Sequence, residues 1–346
     1  MKIPVDITSS ATRWMGLSSL QEALPQDGGR SPEVGDIVLA QVKSIGRHTV
    51  IELPDGNERA LKVGEVVAVA LGRRYATDEF HGEVPSTLSE GGVLHLLNVG
   101  GVAGKVKKST STISHPTTMA YLGTAVDEKG IKLTTFRHRL TIGNPDKKID
   151  VVLIVGSAMD VGKTTAAAEA IHTLAGGGFP VGGAKLTGTS RMKDILKMRR
   201  AGALAVVDFL DAGYPSTFGC SEKELEDIFF LMLDYLSGSG ARVAVVEVAD
   251  GIFQRETEMI LSSARIMKRV GMIVAAASDS LSAYGLVHYL TNTYNRAPDF
   301  ITGLLAASPL GVREFREKSN IPILLNTEKM SSRFIKRARE VFLYVD

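Results

Sequence analysis

The chain has 346 residues, 44% hydrophobic and 23% charged, enough apolar material for about two domains with cores of their own. A net charge of +2 points to no nucleic-acid partner. Its one cysteine, Cys220, can form no internal disulfide, and no run approaches the ~18 apolar residues of a membrane span. Asp6 and Arg13 interrupt the apolar residues that a signal-peptide core would need, so the sequence predicts a cytoplasmic protein without a membrane partner.

Residues 1–30 read as a loosely attached N-terminal arm hinged at Gly28-Gly29 and Ser31-Pro32. Residues 31–147 read as a β-rich domain. Its β-branched runs Asp36–Val42, His48–Leu53 and Glu65–Val69 are separated by turn signals such as Pro54-Asp55-Gly56-Asn57. Further β-rich stretches follow from His95 to Val106 and from Met119 to Leu133, the second carrying a turn at Asp127-Glu128-Lys129-Gly130. Turns spaced about ten residues apart predict a small barrel or sandwich. Lys105, Lys107 and Lys108 after Gly100-Gly101 read as the solvated face of a glycine-rich hairpin. Gly143–Lys148 has the composition of a linker.

From residue 148 to 346 strand and helix patterns alternate, which predicts an α/β fold: a parallel sheet with helices on both faces. Strands are expected at about 149–156, 180–187, 204–210, 241–248, 271–277, 301–306 and 321–325, and Ser332–Arg339 reads as a basic amphipathic helix. The informative segment is the first strand and its sequel, Ile149 to Thr165. A buried strand ends at Gly156, a loop of Ser157, Ala158, Met159, Asp160 and Val161 follows, and Gly162, Lys163, Thr164 and Thr165 open an alanine-rich helix. Written Gly-x5-Gly-Lys-Thr, this is a phosphate-binding P-loop. Backbone N–H groups and a helix N-terminus converge on an anion, Lys163 adds a cation, and Thr164 offers a hydroxyl to Mg2+.

Carboxyl ends of the strands supply the other candidates. Glu247 within the run Ala241–Val248, or Asp250 just after it, is placed to hold Mg2+. Lys185 ends the second strand, facing either solvent or the transferring phosphate. Arg255 lies in the polar segment Gln254–Thr257, where an arginine could stabilise a transferring phosphoryl group. The seven histidines show no zinc-ligand spacing.

The P-loop region resembles that of the dethiobiotin synthetase and cobyrinic acid amide synthase group. The loop Gly156–Thr165 carries the likeness, and Ala184–Gly188, Val246–Gly251 and Ile301–Ser308 extend it. The resemblance covers about 148–330 only. It implies that Lys163 and Lys185 grip the γ-phosphate of ATP and that Thr164 and Glu247 ligate Mg2+. It also implies one further acid after the lysine strand, for which Asp194, Asp208 and Asp211 compete, Asp208 and Asp194 being preferred. Ser308 stands where that group commonly reads the base with Asn. The resemblance further implies a homodimer.

The main functional expectation is a Mg-ATP-dependent enzyme that activates a small-molecule carboxylate or carbamate by phosphoryl transfer. One alternative is a nucleotide-switch ATPase or metallochaperone. Against it stand the missing extra lysine early in the loop and the missing Asn-Lys-x-Asp motif, of which Asn326-Thr327-Glu328-Lys329 is the nearest approach. Another is an acyltransferase or binding protein whose loop holds a coenzyme A-like diphosphate.

Overall fold

The computed structural model describes residues 3–15, 24–26, 31–141, 149–324 and 328–342. The expected linker 143–148, the hinge glycines 28–29 and residues 326–327 lie outside them. Two compact units divide the chain. The first comprises Met1–Leu140, Thr189–Lys193 and Phe209–Gly219, and the second Thr141–Gly188, Asp194–Asp208 and Cys220–Asp346. The segments 189–193 and 209–219, expected as ordinary connections of the α/β domain, therefore pack with the β-rich unit.

In the first unit the strands are β1 (Ile7–Thr8), β2 (Leu24–Gln26), β3 (Ile37–Ser44), β4 (Val50–Glu52), β5 (Glu58–Ala60), β6 (Val66–Leu71), β7 (Arg74–Tyr75), β8 (Phe80–Glu83), β9 (Val93–Leu96), β10 (Val102–Ser109) and β11 (Thr118–Val126). All but β4 and β5 join one nine-stranded sheet. Its path β6–β3–β11–β9–β10 returns to β6 through a parallel pairing, Val102 with Ala70 and Ala103 with Leu71. The β-rich region is thus a closed barrel, one of the two forms expected. Alternation along β3 and β6 explains the closure. Val38, Ala40, Val42, Val67, Val69 and Leu71 share one core cluster with residues of β9, β10 and β11. Ile37, Leu39, Val66, Ala68 and Ala70 face the opposite way.

That second face is covered by Val5, Ala11 and Met15, so residues 3–15 are an integrated part of the unit and not a loose arm. β1 pairs in parallel with β6, Ile7 opposite Val67. Each polar residue read as an interruption has a specific partner. Asp6 accepts from the Val66 amide at 2.8 Å, and Arg13 pairs with Asp211 at 2.9 Å. The segments 189–193 and 209–219 are held in the same unit by a bridge between Thr189 and Ser216. Tyr214 rests its ring against Phe136 at 5.0 Å. The hairpin β4–β5 turns through residues 54–57 as expected, with Asn57 donating its amide to Asp55 at 2.9 Å. Lys105, Lys107 and Lys108 are exposed on β10.

The second unit holds β12 (Asp150–Gly156), β13 (Val181–Lys185), β14 (Val206–Asp208), β15 (Val243–Glu247), β16 (Val270–Ala276) and β17 (Phe300–Thr302). They form a six-stranded sheet in the order β14-β13-β15-β12-β16-β17, and every neighbouring pair is parallel. Of the strand expected at 321–325, the described residues 321–324 make one bridge, Ile323 with Ile301, and residue 325 lies outside the described residues. The helices are α1 (Lys163–Gly176), α2 (Met192–Arg200), α3 (Glu222–Gly238), α4 (Arg255–Ser262), α5 (Ala264–Met267), α6 (Ser280–Tyr294), α7 (Pro309–Arg316) and α8 (Glu328–Val341). α1 leads from β12 to β13 on one side of the sheet's centre, and α6 leads from β16 to β17 on the other. Right-handed crossovers running in opposite directions put these helices on opposite faces. No helix among the described residues is long and apolar enough to cross a membrane.

Inside the first unit, His48 is buried beside Arg74, Glu79 and Arg47, and its Nε2 lies 3.0 Å from the Leu97 carbonyl. Burial is the largest cause that pushes its imidazole down to about 4, with Arg74 and Arg47 acting in the same direction against Glu79. Between roughly pH 6.5 and 4 the unfolded chain therefore takes up a proton that the folded chain refuses, and folding stability falls with pH across that window. The expected loss is roughly 3 kcal/mol. Urea unfolding followed between pH 7 and 4 should show it, and His48→Gln should flatten that part of the profile.

Candidate functional site

The loop from Gly156 to Gly162 owes its shape to what surrounds it. β12 is buried on both faces and ends at Gly156, where a Cβ would lie 2.8 Å from the Lys163 side chain. Gly162 turns the chain at φ 101°, in the left-handed region that favours glycine. Ser157 donates its amide to the Ala276 carbonyl at 3.0 Å, and Leu304 donates its amide to the Val161 carbonyl at 3.1 Å. The ends of β16 and β17 thus brace the loop from one side. α1 begins without a side-chain cap, so its first N–H groups and its dipole are directed at the loop. Its buried face is lined by Ala166, Ala167 and Ala170, small enough for close packing on the sheet.

Lys163 is 6% exposed and donates to the Ala158 carbonyl across the loop at 2.6 Å. Burial lowers its pKa, opposed by the carboxylates of Asp250 and Glu247 and reinforced by Lys185. A phosphate beside this ammonium would favour its charged form and share the burden those acids carry. Thr164 donates to Glu247 Oε1 at 2.9 Å and lies 3.2 Å from Asp194 Oδ1. Lys185, also buried, forms an ion pair with Asp194.

Strand register explains the grouping. Ile154 is opposite Glu247, Glu247 opposite Lys185, and Lys185 opposite Asp208, so the four residues form one row across the sheet. Glu247 stands one strand from the loop strand and Asp208 three, about 14 Å away at ~4.8 Å per strand. Asp194, carried on α2, reaches Thr164 instead. Of the competing acids the structure thus brings Asp194 to the loop and leaves Asp208 at the sheet edge. Asp211 is paired with Arg13 in the other unit.

The fit to Mg2+ rests on the same atoms. Glu247 is 2% exposed, and its Oε2 is buried without a hydrogen-bond partner beside a threonine hydroxyl and a second carboxylate. Hard oxygen donors of this kind suit Mg2+, which binds through one or two carboxylates and phosphate oxygens. Ser157 Oγ is likewise buried without a partner.

Three expected site residues are engaged elsewhere. Arg255 opens α4 and donates to the Cys220 carbonyl at 3.0 Å, with Glu256 at 3.2 Å. Ser308 caps α7, accepting from the Gly311 amide at 3.2 Å. Thr165 is exposed and accepts from Lys197 at 2.7 Å. The Leu304 brace had no signature in the sequence, because it depends on β17 returning beside the loop.

No protein-family model matches the chain, and no curated protein matches it. Among solved structures it is similar to the signal recognition particle receptor FtsY from Elizabethkingia anophelis, with 18% identity and TM-score 0.38, covering 58% of this chain and 67% of that one. It is also similar to the signal recognition particle 54 kDa protein from Aeropyrum pernix K1 in complex with GDP, with 21% identity, TM-score 0.32 and coverage of 48% and 38%. A third is the hydrogenase maturation factor HypB from Archaeoglobus fulgidus, with 17% identity, TM-score 0.38 and coverage of 56% and 90%. Similarities of this size place the chain in none of those families. On its own geometry the second unit is a parallel α/β sheet whose first strand, loop and helix form a P-loop.

Were a magnesium–nucleotide complex held at the loop, Asp194→Asn should reduce the gain in affinity from Mg2+ about tenfold, whereas Asp208→Asn should leave it unchanged. Calorimetric titration with and without Mg2+ decides between the two acids.

Proposed function

We propose that the second unit binds a magnesium–nucleoside triphosphate at Gly156–Thr165 and hydrolyses it as a nucleotide switch. The observation that carries this reading is the buried, unpartnered oxygen of Glu247, beside a Thr164 hydroxyl shared with Asp194 and next to the buried Lys163. In this reading the loop amides and Lys163 hold the phosphates, while Thr164 and Glu247 hold Mg2+ with Asp194 beside them. Mg2+ supplies charge neutralisation at the phosphate oxygens. Lys185, now bound to Asp194, is the cation available to the terminal phosphoryl.

Support for a switch, rather than small-molecule activation, comes from the chain on either side of the site. Immediately before Asp194, residues 189–193 pack within the barrel unit, as do residues 209–219 after β14. The segment that leads into Asp194 is thereby packed within the first unit. Arg255, which phosphoryl transfer to an acceptor would use, is bound to a backbone carbonyl.

The dethiobiotin synthetase-like reading, with ATP activating a carboxylate or carbamate, keeps one supporting observation. Lys185 lies in register with Glu247, as a second phosphate-gripping lysine requires. Under either hydrolytic reading Lys163→Ala should lower turnover about a hundredfold or more, since it removes a preorganised cation from the transferring group. Phosphate release is to be measured with ATP and with GTP, with and without a panel of carboxylic acids. Release independent of any acid supports the switch. Release that requires an acid establishes the activating enzyme, and binding without release establishes a diphosphate-holding site.

A further inference from the structure

α2 starts after Arg191, a side chain with donors only, which cannot cap a helix. Its first amide, at Met192, is satisfied from far along the chain, donating to Glu52 Oε2 at 2.7 Å. Glu52 ends β4 and is 1% exposed. A buried carboxylate is costly without partners. Here it has the Met192 N–H, with the Arg191 guanidinium at 3.8 Å, and Arg191 also pairs with Glu58 of β5 at 2.8 Å. Glu52, Arg191 and Met192 all belong to the first unit. Two residues further along the same helix, Asp194 belongs to the second unit and meets Thr164 and Lys185.

We infer that Glu52 is a positioning residue for the nucleotide site: by capping α2 it fixes the helical turn that presents Asp194 to Thr164 and Lys185. The inference rests on the magnesium–nucleotide reading of that site. Its physical basis is the cost of an uncapped first turn, which frays when its amides have no acceptor. A carboxylate at a helix N-terminus is also favoured by the dipole. A frayed turn would release Asp194 and leave the loop itself, Lys163 included, in place. Glu52 therefore governs the magnesium-dependent part of binding and not phosphate capture by the loop.

The test is a double-mutant cycle read by calorimetric titration of the full chain with ATP and with GTP, each in Mg2+ and in EDTA. Glu52→Ala should lower affinity in Mg2+ about tenfold and leave affinity in EDTA unchanged. Glu52→Gln, which keeps an acceptor oxygen but loses the charge, should lower it only about threefold. In an Asp194→Asn background Glu52→Ala should add nothing, because its route to the site is already cut. Should Glu52→Ala fail to fold, as judged by circular dichroism, the cycle runs on Glu52→Gln with a smaller expected effect of about threefold. Effects of Glu52 and Asp194 that multiply, or a loss equal in Mg2+ and EDTA, would overturn the positioning role. A wild-type chain that binds neither nucleotide in Mg2+ or EDTA would instead overturn the site reading, an outcome distinct from both.

Discussion

The hydrogen bond from Thr164 to Glu247 is the constraint on which the site depends, because it ties the helix that starts at the loop to the neighbouring strand. Thr164 is the second residue of α1, and Glu247 is the last of β15. Their meeting requires that β15 lie directly beside β12, in the register that sets Glu247 opposite Ile154. A shift of one residue would turn Glu247 to the other face of the sheet and separate it from the threonine. The parallel core that holds this register is therefore part of the chemistry.

Charge placement follows from the same row. Lys163 and Glu247 are both buried, and the carboxylates of Asp250 and Glu247 oppose the cost of burying the Lys163 ammonium. Lys185 lies between Glu247 and Asp208 in register and pairs with Asp194. Buried cations and anions alternate around the mouth of the loop, and one acid oxygen there is left without a partner. An incoming phosphate and its cation would enter an environment already shaped for both charges, with little reorganisation of the protein.

How much of this could be read from the sequence depended on distance along the chain. Strand, loop and first helix run without a break from Ile149 to Thr165, so their pattern was legible residue by residue. Glu247 was legible as an acid at a strand end, and Lys185 likewise. Asp194 could not be told from Asp208, because the choice turns on strand order, which places Asp208 on the edge strand. The packing of residues 3–15 was hidden for a similar reason. Asp6 and Arg13 look like polar interruptions until Val66 and Asp211, remote in sequence, are seen to be their partners. Arg255 and Ser308 show the converse: residue type suited a functional role, and local hydrogen bonding uses each for structure. Glu52 gave no signal, since the helix it caps begins some 140 residues later.

In the proposed function Glu247 and Thr164 form the protein's side of a magnesium site at the phosphate loop. Titration of the wild-type chain and of Glu247→Gln with nucleoside triphosphate, each in Mg2+ and in EDTA, tests it most directly. The variant preserves shape and removes one charge. Mg2+ should strengthen binding to the wild type and this gain should be lost in Glu247→Gln, while affinity in EDTA and thermal stability stay close to the wild-type values. A Glu247→Gln chain that keeps the full gain from Mg2+ would contradict that assignment.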